Sequence, residues 1–182
     1  MIKPLKHWSP LTLKILNWVI IFGSVILCAL ALPLRFSGLE LNDIGPNWML
    51  VWVVVWSVKR TALQGALAGF ALGLIQDGMT VAYPTHVFGL ALAGVLTARL
   101  QKQRFIQEDF ISVALIVFGM AVIAETVMAL QFSFRHDRPL IDIWLYHQQI
   151  ALSSAILSSL WAPVVYYPLN HWWERLNGLE QS

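Results

Sequence analysis

Residues 65–78 read GALAGFALGLIQDG. Gly65, Gly69 and Gly73 fall four residues apart in a stretch with otherwise good helical composition. In the interior of a water-soluble helix each glycine costs roughly 1 kcal/mol relative to alanine. Three such glycines, closed by a Gln-Asp pair at the end of an apolar run, need a different solvent. In lipid, apolar side chains gain little by leaving the acyl chains for one another. Helices associate there through close backbone approach, which small residues permit.

Composition agrees with that solvent. The chain has 182 residues, 58% hydrophobic and 12% charged. A soluble domain has about 45–50% apolar and about 25% charged residues. The charges cluster in short segments between long uncharged runs, the layout of a polytopic membrane protein. A net charge of +2 is too small to suggest a nucleic-acid partner. The lone cysteine, Cys28, provides no disulfide or Cys-based metal site within one chain.

Six transmembrane helices are expected in a single all-α membrane domain. The first opens with Ser9 as N-cap and Pro10 at the first helical position, and Pro33 ends it near residue 32. The second covers about 46–60 and is short for a hydrocarbon core of about 30 Å, so it borrows flanking residues or is shielded by neighbours. The others cover about 62–77, 83–100, 109–132 and 144–169. Pro163 and Pro168 predict a kink or early end in the last. A signal-peptide reading of the start, with Ala29–Ala31 as cleavage site, is weaker, because the apolar run exceeds a usual signal core.

Six spans divide the twelve Lys and Arg residues unevenly. Nine fall with the termini and the 59–60 and 99–104 segments, and three (Arg35, Arg135 and Arg138) fall opposite. The positive-inside rule then puts both termini in the cytoplasm.

The glycine groove of Gly65, Gly69 and Gly73 is expected to pack within the bundle, against Gly89, Ala93 and Thr97 of the fourth span; Ala151, Ala155 and Ser159 offer a further small strip. The alternative is a docking face for another protein's helix. Gln76 and Asp77 close the third span, His86 opens the fourth, and Glu125 lies in the outer half of the fifth, with Gln131 beyond it. Ionisable groups in a membrane segment usually face a protein interior or wet cavity. Gln76, Asp77, His86 and Glu125 are the candidates for a polar pocket opening outward. Simpler readings are an interfacial Asp77 and a Glu125 that makes a polar packing contact. Trp48, Trp52 and Trp56 form a stripe read as packing or as an aromatic wall for a ligand. Trp172 and Trp173 beside Arg175 read as an interfacial anchor. Ser153, Ser154, Ser158 and Ser159 are read as hydrogen bonders between helices. No catalytic constellation, phosphate loop, cofactor motif or metal-ligand set is visible.

The order of features resembles the bacterial rod-shape-determining MreD family. The likeness begins with PNWMLVWVVVW at residue 46 and continues through GALAGFALGLIQDGMT from residue 65. FGLALAGVLTARL from residue 88, Glu125 and LWAPVVYYPL from residue 160 follow. Asn47 stands where the family usually has aspartate, and the loop after Asp77 is irregular for it. The resemblance implies a non-enzymatic part of the cell-elongation machinery in the cytoplasmic membrane. Its partners would be MreC and, through MreC, the MreB filament and the peptidoglycan synthases, with membrane lipid around it; a homo-oligomer is left open. The family is also similar in fold to the substrate-binding S-components of energy-coupling-factor importers. That supplies the alternative, a small-solute-binding subunit of such an importer.

Overall fold

The computed structural model describes residues 10–34, 40–41, 43–80, 83–102, 110–135 and 139–180. These form six helices in chain order: α1 (Pro10–Ala31), α2 (Trp48–Ser57), α3 (Ala62–Met79), α4 (Val87–Lys102), α5 (Phe110–Arg135) and α6 (Leu140–Glu180). By length and composition, α1, α5 and α6 can each cross a membrane; α2 and α4 are apolar but shorter.

The short α2 is the centre of the bundle. Its ten residues give about 15 Å of helix. It touches all five other helices. Met49, Leu50, Val51, Val53, Val54 and Val55 have no exposed surface. Shielding by neighbours, rather than borrowed flanking residues, accounts for its length. Asn47 caps it, its side chain accepting from the Leu50 N–H at 3.1 Å. The Asn47 N–H donates to Ser158 Oγ of α6 at 2.9 Å. An asparagine can fill this cap because the position needs a side-chain oxygen and no charge.

The tryptophan stripe on α2 serves packing. Trp52 Nε1 donates to Ser24 Oγ of α1 at 2.8 Å. Its ring stacks on Trp56, and Trp48 lies against Trp161 of α6. The Arg60 guanidinium sits over both the Trp56 and Trp173 rings, 5.1 and 5.7 Å from their centroids. Trp173 is thus buried under a cation, and Trp172 donates to Asn17 of α1 at 3.2 Å. The expected interfacial anchor ties α6 back onto α1 and the end of α2.

α3 packs most extensively on α4, and α5 on α6. The three glycines of α3 face α4. A Cβ at Gly69 would lie 2.5 Å from the Leu90 carbonyl carbon, and one at Gly73 2.5 Å from Val87 Cα. One at Gly65 would lie 2.8 Å from the Gly94 carbonyl carbon. The two backbones are in contact, so no side chain fits between them. The partner face on α4 differs from the expected one: it is Val87, Leu90 and Gly94, whereas a Cβ at Gly89 would lie 3.2 Å from Ala124 of α5.

Two boundaries also differ. The fourth helix starts at Val87 rather than near residue 83, since Pro84 disfavours helical geometry in the residue before it. The sixth continues through Pro163 and Pro168 for 41 residues. A proline removes one backbone hydrogen bond, and a helix supported by neighbours tolerates that in a membrane.

Candidate functional site

Asp77 lies in the last turn of α3, where a carboxylate is disfavoured by the helix's own dipole. The adjoining start of α4 compensates. Asp77 Oδ1 accepts from the His86 N–H at 2.8 Å and faces His86 Nδ1 at 2.7 Å. Asp77 Oδ2 accepts from the Thr85 hydroxyl. Thr85 Oγ1 in turn accepts from the Val87 N–H at 3.2 Å, capping α4. The carboxylate therefore sits at the positive end of α4 in a set of charge-assisted hydrogen bonds.

Gln131 of α5 holds the same connection from the other side. Its Nε2 donates to Thr85 O at 2.9 Å and its Oε1 accepts from Thr85 N–H at 3.1 Å. Both ends of one amide are used on one residue. Thr85 is thereby fixed to α5, and His86 is presented beyond it.

His86 faces a cavity of about 390 Å³ at the ends of α5 and α6. Glu125, Met128 and Phe132 of α5 and Ile143, Tyr146 and His147 of α6 supply most of its wall. Asp142, in the first turn of α6, also lines it. Glu125 accepts a hydrogen bond from Ser154 of α6. Thr126 Oγ1 donates to Val122 O at 2.7 Å and lies 3.3 Å from His147 Nε2.

Of the four residues expected around a shared pocket, the fold brings His86 and Glu125 to one cavity. Asp77 stands behind His86 and orients it without lining the space. Gln76 is buried elsewhere in α3, 5% exposed, and its Oε1 has no hydrogen-bond partner among the described residues. Asp142, Tyr146 and His147 were not singled out from sequence. Asp142 and Tyr146 fall four apart on α6, and His147 follows one position later. Placing the start of the sixth span at residue 144 left Asp142 outside it. Among the described residues, no group of three His, Cys, Asp or Glu side chains is placed to hold a metal.

The glycine face of α3 belongs to the interior, because α4 occupies it along its length. It presents no open groove to another protein's helix.

A family model described as rod shape-determining protein MreD matches residues 11–169. The chain belongs to the MreD family. The match covers all of α1 but its first residue, α2 through α5, and α6 as far as Leu169. No curated protein and no solved structure matches the chain. MreD membership makes the chain a determinant of cell shape, and its long apolar helices fit a membrane protein. The MreD match includes the Asp77–His86 connection and all ten residues of the α5–α6 cavity wall, since both lie within residues 11–169.

Proposed function

We propose that the chain acts as a non-enzymatic membrane component of the bacterial cell-elongation machinery. In this reading it binds MreC and, through MreC, joins the MreB filament and the peptidoglycan synthases. The observation that carries the reading is the MreD match over most of the chain. All six helices cross the cytoplasmic membrane, with both termini on the cytoplasmic side, as the asymmetry of Lys and Arg supports. Close helix contact and hydrogen bonds between helices suit a rigid scaffold. The sequence-based alternative, an importer subunit with an S-component fold, finds no support in the comparisons.

The test is crosslinking in native membranes, followed by pull-down of the tagged chain and identification of what is bound. MreC and peptidoglycan synthases should be recovered together. Recovery of a transporter ATPase without MreC overturns the proposal.

A further inference from the structure

The polar groups of the α5–α6 cavity share one property: nearly all accept hydrogen bonds. The Thr126 hydroxyl proton is directed to Val122 O at 2.7 Å, so Thr126 Oγ1 is left to accept from His147 Nε2 at 3.3 Å. A neutral His147 then carries its free lone pair on Nδ1. Asp77, as a carboxylate, only accepts, so His86 Nδ1 carries a proton, and in the neutral ring Nε2 is the acceptor. Glu125 takes one hydrogen bond from Ser154 and keeps lone pairs to spare. Asp142 adds a second carboxylate. Tyr146 alone carries a hydroxyl that can donate, and no Lys or Arg is among the described lining residues.

The remaining wall is apolar, including Met128, Phe132, Ile143 and Ile150. The Asp142 carboxylate repels an anion. A purely apolar occupant would leave the acceptors without donors, at a desolvation cost. A cation with several N–H donors satisfies them, and aromatic rings such as Phe132 and Tyr146 favour a cation nearby. The volume of about 390 Å³ falls in the usual range for a small-ligand site, about 300–1,000 Å³.

We propose that this cavity binds a primary ammonium group carried on an apolar body, with the ammonium near Glu125 and the two imidazoles and the apolar part against α5 and α6. The inference goes beyond the cell-shape reading and does not rest on it. Such an ammonium has two sources, a free amphiphilic amine or the headgroup of an ethanolamine lipid.

The full chain is placed in phosphatidylcholine nanodiscs and titrated with octylammonium by calorimetry, with octanol and octanoate as comparators. Octylammonium should bind saturably, whereas the comparators only partition into the lipid. Glu125→Gln should weaken binding at least about tenfold, as expected when one partner of a buried charge pair is removed. Ile150→Trp, which fills the cavity from α6, should abolish binding and covers the case in which Glu125→Gln fails to fold. Equal saturable binding of octanol, or unchanged affinity in folded Glu125→Gln or Ile150→Trp, overturns the proposal. Weaker apparent affinity in phosphatidylethanolamine nanodiscs assigns the lipid headgroup as the natural source; equal affinity assigns a free amine.

Discussion

Asp77 Oδ1 lies 2.8 Å from the His86 backbone nitrogen and 2.7 Å from His86 Nδ1. One oxygen thus joins the end of α3 to the start of α4 and sets which ring nitrogen of His86 carries the proton. Asp77→Ala removes these acceptors and leaves the His86 N–H and the Thr85 hydroxyl without their partner. It should destabilise the bundle by about 1–3 kcal/mol. Asp77→Asn, which keeps one carbonyl oxygen, should cost less. Thermal unfolding in detergent ranks the two variants. An Ala variant as stable as wild type would show that the contact contributes nothing.

Gly69→Leu should disrupt α3–α4 packing, because even its Cβ would overlap the Leu90 backbone. Gly119→Ala is the matched control: a methyl there meets nothing within 4 Å. It should leave stability unchanged or raise it by up to about 1 kcal/mol. Abundance and melting temperature in detergent separate the two. Wild-type values for Gly69→Leu would mean that α3 and α4 do not touch as described.

Glu125→Gln keeps a hydrogen-bonding partner for Ser154 and should fold to normal abundance. Glu125→Leu leaves the buried Ser154 hydroxyl without it, at a cost of about 1–3 kcal/mol. The measurement is abundance together with rescue of rod shape in cells lacking the native protein. A stable but inactive Gln variant assigns the carboxylate a functional role. Full activity and normal abundance with Leu would make Glu125 incidental.

Reporter fusions at Ser182 and at Asp137 should report opposite sides of the membrane, with Ser182 cytoplasmic. The nine-to-three distribution of basic residues requires this if all six helices cross. Both reporters on one side would exclude the six-span topology.

Six helices and the contact face of α3 were legible because proline and glycine punctuate this chain clearly. The partner face on α4 was not. Matching small residues to small residues selected Gly89, Ala93 and Thr97, but a groove accepts any backbone that fits it. Here Leu90 and Val87 bring their main chain to the glycines and send their side chains past them. The polar site was legible only in part. His86 and Glu125 stood out as polar groups in apolar spans. Asp142 and His147 did not, since their meaning depends on how α6 turns against α5, and no local pattern encodes that rotation. The inward role of Asp77 was hidden for the same reason: its partners, Thr85 and His86, lie on the far side of the connection to α4.

The position of α2 also constrains how the protein is made. A segment of ten residues is translated early but contacts helices that are translated after it, including α6. Until α6 arrives, the Asn47 N–H has no Ser158 to receive it, and the valines of α2 lack the α6 side of their enclosure. A nascent chain stopped before residue 140 therefore holds an unfinished centre, open to membrane proteases and insertion chaperones. Completion of the last helix is the event that seals it.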